Sequence, residues 1–279
     1  MKWRLFPAFV LILILGAATL SKLERPGLAE ESWTSIYYPQ AALGSAGELS
    51  FTTQLTLYNP QPVSVTAIPL FISASGGEQD WEAVTLGPNE SSLLTLESEG
   101  PLSVGQLQLS TSAPIGESLK YVITQADGTT REEISVGSTE PATEFLLPVN
   151  NDGIHRSAFA VANPSSEMLS LALTLFDSDG FIVQEGELQL PARGQLARYI
   201  HELEGFAFLK PGFIGTLDIQ ASTAFTAMGL AENQNDNHLS SLRPFSPRAA
   251  EEATQLSEGA FVAHYPQSAF GFHVDSSLM

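Results

Sequence analysis

Two stretches of this chain run the same course 104 positions apart. Gln54-Leu55-Thr56-Leu57-Tyr58 leads into Asn59-Pro60, and Ala158-Phe159-Ala160-Val161-Ala162 leads into Asn163-Pro164. Alternating apolar side chains place one row inside a sheet and one row outside. Proline has no N–H to give to a ladder, so Asn-Pro ends the strand and opens a turn. A chain that does this twice at a fixed interval is constrained to a duplicated β structure.

Further landmarks follow at closely similar intervals, 104 for Leu86 to Leu190 and 103 for Ser92 to Gln195. Leu86 with its Gly87-Pro88 turn matches Leu190 with Pro191, and Ser92–Leu96 matches Gln195–Tyr199 as the next strand. Gly105-Gln106-Leu107-Gln108-Leu109 then matches Gly215-Thr216-Leu217-Asp218-Ile219 at an interval of 110, so the second copy has gained six residues. The gain falls in His201–Gly212, the part that reads least like a strand. Asp127-Gly128 and Asp179-Gly180 are hairpin signals, the second joining Leu169–Phe176 to Phe181–Leu190. Strand-turn-strand units at this spacing predict an all-β protein of two tandem, related β-sandwich (Ig-like) domains, residues 33–140 and 145–246, with matching strand order.

The opening Tyr38-Pro39, the strands ending in Asn-Pro and the hairpins ending in Pro/Gly turns resemble the tandem β-sandwich modules of bacterial secreted and surface proteins. The resemblance covers about residues 36–245 and implies an architecture, with no activity attached. Tyr38-Pro39-Gln40-Ala41-Ala42-Leu43-Gly44 also returns near the other end as Tyr265-Pro266-Gln267-Ser268-Ala269-Phe270-Gly271. Residues 260–279 therefore read as a partial third repeat or a closing strand, behind a helical or flexible linker at 247–259.

The first 20 residues read as an address. Lys2 and Arg4 precede an uncharged apolar run that ends in Gly16-Ala17-Ala18, the layout of a secretory signal peptide. The run falls short of the ~20 residues that span a bilayer comfortably, so cleavage is preferred to an uncleaved anchor. Either way the basic end stays inside and the body is expected outside the cytoplasm, secreted, periplasmic or on the cell surface. The only membrane association this allows is through an uncleaved N-terminal segment.

The net charge of −19, from 31 acidic and 12 basic residues, sets the body against nucleic acid and anionic surfaces. With no cysteine, thiol catalysis and thiolate-bound metal are excluded.

Candidate sites are few. Asp177-Ser178-Asp179-Gly180 begins like a calcium loop, with Asp177 and Asp179 as the candidate Ca²⁺ ligands, but a plain hairpin turn fits better because the distal bidentate acid is not placed. No other cofactor is expected. Asn150–Gly153 and Glu232–Asn237 are also oxygen-rich. His201-Glu202 lacks the second histidine of a zinc-protease helix, since position 205 is Gly205. Gly-x-Ser-x-Gly and phosphate-cradling loops are absent from the sequence.

Trp33 and Trp81 are candidate sugar-stacking rings, against a preferred reading as core or edge packing. Phe206 and Phe208, in the apolar insertion, are a candidate partner patch, against a lid packed on its own core. The leading functional expectation is a non-catalytic structural or binding module with a protein or glycan partner. A carbohydrate-binding accessory module and a divergent secreted hydrolase are the alternatives.

Overall fold

The computed structural model describes residues 33–207, 209, 211–236 and 238–247, and the backbone of 268–269 and 272–273. The N-terminal address, most of the 247–259 linker and Phe208 lie outside the described residues. So does the 260–279 segment, apart from the short pairing of Ser268–Ala269 with Phe272–His273.

The chain is all-β, and its strands fall into two sandwiches. In the first, β1 (Thr34–Ala46) changes sheets along its length. Its first part pairs with β7 (Ser103–Thr111), and its last residues, Gly44–Ala46, pair with β2 (Leu49–Tyr58). One sheet is completed by β3 (Val65–Ser73) with the short pieces β4 (Glu78–Asp80) and β5 (Val84–Leu86). The other is completed by β6 (Ser91–Leu96), β8 (Gly116–Gln125) and β9 (Thr130–Val136).

The second sandwich repeats this order. In one sheet β10 (Ala142–Asn151), β15 (Phe213–Asn233), β12 (Leu169–Asp177) and β13 (Ile182–Leu190) lie side by side. In the other, β14 (Gln195–Tyr199), β11 (His155–Ala162), β15 again and β16 (His238–Leu242) do so. The single 21-residue β15 serves both sheets, breaking register between Gln220 and Phe225, where the first copy uses two strands. The added residues of the second copy make a 3-10 turn at Ile200–Glu202 and further turns.

The ladder registers define equivalent positions, and the same local solutions appear at them. Asn59 and Asn163 are fully buried. The Asn59 amide donates to the carbonyls of Val63, Leu86 and Gly87 at 2.8, 3.0 and 3.0 Å, while its Oδ1 accepts the Gln61 N–H at 2.8 Å. Asn163 donates to Glu167 and Pro191 at 2.7 and 2.9 Å and accepts from Ser165 at 2.9 Å. Each asparagine thus satisfies a turn whose backbone would otherwise be buried without partners. The facing turn is strained alike in both copies: Asn89 and Arg193 have φ of 59° and 61°.

Gly105 and Gly215 are a second matched pair, each in a central strand flanked on both sides. A Cβ there would lie 2.1 Å from the Ile72 carbonyl oxygen or 2.0 Å from that of Phe176. Backbone, unlike a flexible side chain, has nowhere to go. Gly215→Ala and Gly105→Ala are each expected to cost at least ~2 kcal/mol, read as a fall in the urea midpoint. A loss under about half that would mean the strands separate freely.

The expected alternation fails in β11. Every residue from Ser157 to Ala162 is buried, because the sheet carrying β11 is covered on both faces. Phe159 and Val161 face the second core, which also holds Phe145, Leu173, Leu217 and Phe225. Ala158, Ala160, Met228 and Leu230, on the opposite face, join the first core with Tyr38, Leu107, Tyr121 and Ile134. That sheet closes the flank of the first sandwich between β1 and β9.

The positions equivalent to this covering face are polar in the first copy. Gln54, Thr56, Ser118 and Lys120 stand where the second copy has Ala158, Ala160, Met228 and Leu230. Lys120 and Glu133 make a 2.9 Å ion pair where the second copy has Leu230 and Leu239. Conversely, the apolar Tyr121, Ile123 and Ile134 of the closed flank become Ala231, Asn233 and Ser240. Each half of the interface therefore occurs once in the described chain, on one copy only.

Buried amides complete the contact. Gln106 Nε2 donates to the carbonyls of Asn163 and Arg193 at 3.1 and 2.8 Å, and Gln195 Nε2 donates to Gln40 Oε1 at 2.8 Å. Glu132 accepts the Leu239 N–H and lies 3.0 Å from His238 Nδ1.

Candidate functional site

Where the first sandwich passes into the second, a cleft of about 700 Å³ opens between the start of β1, the linking segment 138–143 and the segment after β16. The linking segment is held from both sides. The Thr139 N–H donates to the Tyr37 carbonyl at 2.8 Å, and its hydroxyl donates to the Ala227 carbonyl at 3.1 Å.

Glu117 lines one wall. Its two oxygens accept from the Tyr38 hydroxyl and from Ser138 Oγ, the latter at 2.7 Å. Burial, reinforced by the Glu117 charge, pushes the Tyr38 hydroxyl far above its ordinary value, so it stays protonated and keeps donating. Arg243, also in the lining, is exposed and has no carboxylate partner among the described residues. Ser246 Oγ, also in the lining, is shielded from solvent and has no hydrogen-bond partner among the described residues. The lining offers hydroxyls, strand backbone, the guanidinium of Arg243 and the carboxylates of Glu117 and Glu140.

Among the described residues, those singled out in the sequence do not line this cleft. Trp33 is 43% exposed just before β1. Trp81 is half-buried against the first core, its ring perpendicular to that of Phe71 with centroids 6.2 Å apart. Phe206 corrects the partner-patch expectation. It is 0% exposed in the second core, in the space left by Gly186, where a Cβ would lie 2.8 Å from its ring. Burial there removes the Phe206 ring from water.

Asp177 Oδ1 accepts the N–H groups of Asp179 and Phe181 at 3.0 and 2.9 Å, the geometry of a hairpin turn. Among the described residues, no group of three or more His, Asp or Glu side chains is placed to hold a metal ion. The two oxygen-rich turns do meet, through the Gln234 N–H on the Ile154 carbonyl at 2.8 Å. Asp152 takes the N–H groups of Ile154 and His155 and lies 2.9 Å from His155 Nδ1, contacts that hold its carboxyl well below the usual range.

Sequence reading passed over Asp218. It is 9% exposed on the outer face of β15, its Oδ2 accepts from Gln220 at 2.8 Å, and its Oδ1 is buried without a partner. Burial, helped by the Glu144 charge and opposed by the Gln220 hydrogen bond, raises its carboxyl above the ordinary value. A carboxyl raised in the fold binds its proton more tightly there than in the unfolded chain. Ionisation therefore removes stability as pH climbs through the raised value. Asp218→Asn keeps the acceptor for Gln220 and turns a donor toward Glu144. It is expected to raise Tm by a few degrees at pH 7, with the gain shrinking as pH falls toward the ordinary carboxylate range. A gain equal at both pH values would refute this account of Asp218.

No known protein-family model and no curated protein matches this chain. Among solved structures, Bacteroides uniformis beta-glucuronidase 2 covalently bound to cyclophellitol-6-carboxylate aziridine aligns at 10% identity over 72% of this chain and 25% of its own, with a TM-score of 0.15. A calcium-binding mutant of the same enzyme aligns at 10% identity over 74% and 26%, with a TM-score of 0.14. The chain spans about a quarter of the length of these structures.

Proposed function

We propose that this chain is an exported, non-catalytic module in which two sandwiches, fused into one body, hold loops and sheet edges at fixed spacing for a protein or glycan partner. The observation that supports this reading is the core shared between the copies, with Met228 and Leu230 of the second packed among the residues of the first. A spacer or presenting module needs its parts held in one orientation, and an apolar joint backed by buried glutamine hydrogen bonds resists bending far better than a polar linker. Export is supported by the basic start, the apolar run and the small residues that close it.

The test is a fusion of alkaline phosphatase to residue 279 in a bacterial host. This enzyme matures only outside the cytoplasm, so strong activity is expected, lost when residues 1–20 are deleted. A silent fusion of the full chain would overturn export. Labelling of the purified body by a serine-reactive probe would overturn the non-catalytic reading.

A further inference from the structure

The outer face of the sheet formed by β10, β15, β12 and β13 differs between the copies. Two rows of side chains cross it. Leu146, Asp218, Thr174 and Glu185 make one row, and Glu144, Gln220, Ala172 and Glu187 make the next. The floor along β12 is therefore small, formed by Ser170, Ala172 and Thr174, between longer side chains on β15 and β13. Two strand spacings, about 10 Å, separate those walls. The equivalent rows in the first copy are Tyr37, Gln108, Leu70 and Asp80, and then Ser35, Ser110 and Ile68. There Leu70 and Ile68 fill the floor, and the single carboxylate of Asp80 stands against the Glu144, Asp218, Glu185 and Glu187 of the second copy.

Charge decides what such a furrow accepts. The four strands contain no Lys, Arg or His. Among the described residues none of the four carboxylates has an ion-pair partner, and Arg243, two residues before Phe245 at the β10 edge, pairs with none of them. On one wall the Gln220 amide donates to Asp218 Oδ2 at 2.8 Å and to Glu144 Oε1 at 3.5 Å, so one neutral NH2 group serves two carboxylates. Asp218 is 9% exposed, and its Oδ1 has no partner among the described residues. An ammonium in place of that amide supplies the missing charge and makes stronger, charge-assisted hydrogen bonds. A single metal ion fits less well, since no three such side chains among the described residues are placed to hold one. The rows follow every second residue of β12, about 6.8 Å apart, and alternate side chains of an extended segment repeat at the same distance. We propose that this furrow docks an extended basic segment of a protein partner, its lysine side chains lying over Ala172 and Thr174 between Asp218 and Glu144 on one wall and Glu185 and Glu187 on the other.

The docking face deepens the preceding reading by naming the partner's chemistry, and rests on it only for a binding role. The assay reads peptide binding by the full chain, so its failure leaves export and the absence of catalysis as they stand. Short fluorescein-labelled peptides alternating Ser with Lys, Gln or Glu are titrated into the protein and followed by anisotropy. The Lys peptide is expected to bind at least ~10-fold more tightly than the Gln peptide, with the preference shrinking as salt is raised. The whole protein is acidic, so position is the deciding control. Glu185→Gln with Glu187→Gln should weaken Lys-peptide binding at least ~5-fold, whereas Glu97→Gln with Glu99→Gln, on exposed acids of the first sandwich, should change it less than about 2-fold. Ala172→Ile with Thr174→Leu installs the first copy's floor and keeps all four carboxylates; it should weaken binding at least ~10-fold. Asp218→Asn should weaken binding while raising Tm, a pairing that a merely structural role does not give. If the filled floor unfolds the chain, the two glutamate pairs decide. Absence of Lys-peptide binding, equal losses from both glutamate pairs, full affinity on a folded, filled floor, or displacement of the peptide by calcium but not magnesium would each overturn the proposal.

Discussion

Asn59→Ala is expected to destabilise the protein by on the order of 4 kcal/mol, seen as a lower urea midpoint with an unchanged slope. The amide is fully buried, and its two hydrogens are shared among three carbonyls while its oxygen holds the Gln61 N–H. Alanine leaves all of those backbone groups in a dry site, where each unmade bond costs about 1–3 kcal/mol. Asn163→Ala removes one fewer side-chain bond and should cost somewhat less, yet it should also loosen the interface, because the Asn163 carbonyl accepts from Gln106. Asn59→Asp separates hydrogen bonding from size. It keeps the acceptor but aims a carboxylate at three carbonyls, so at neutral pH it should be worse than alanine. A loss below about 1 kcal/mol for Asn59→Ala would show that water reaches the turn and that the asparagine is dispensable.

Met228→Lys is expected to cost about 3–5 kcal/mol, because it puts an unpaired charge into the core shared by the two sandwiches. The protein supplies its own control. Ser118 occupies the equivalent ladder position in the first copy, opposite Thr56 as Met228 is opposite Ala160, and it is exposed. Ser118→Lys should change stability by no more than about 0.5 kcal/mol. The natural chain should unfold in one transition reported alike by tryptophan fluorescence and by circular dichroism, and Met228→Lys should split it into two. Equal effects of the two lysines would mean that the sandwiches are merely neighbours.

Much of this was legible in the linear chain. The alternation, the Asn-Pro strand ends, the Asp-Gly turns and the recurrence of the landmarks depend on side-chain period and on backbone chemistry, which act locally. Strand order followed because duplicated landmarks imply duplicated connections. The second copy's opening was harder to see: Leu147-Pro148 holds the place of Tyr38-Pro39, and only the register identifies it. Burial of Phe206 was one of the two readings of the insertion, as a lid packed on its own core, but its seat against Gly186 and the isolation of Asp218 near Glu144 depend on neighbours far away in sequence. One signal for the interface was present and pointed the right way. Ala158–Ala162 is apolar without a polar partner row, whereas Gln54–Tyr58 alternates.

The sequence by itself determined that this protein is a doubled β-sandwich, because hydrophobic period and proline placement leave the backbone few other ways to bury its apolar rows and pair its polar groups. Only the tertiary structure decided that the two sandwiches are unequal partners, one closing the other's flank and leaving a cleft beside the join. Which face of a sheet meets water depends on what packs against it, and a run of alanines states that a face is buried without stating by what.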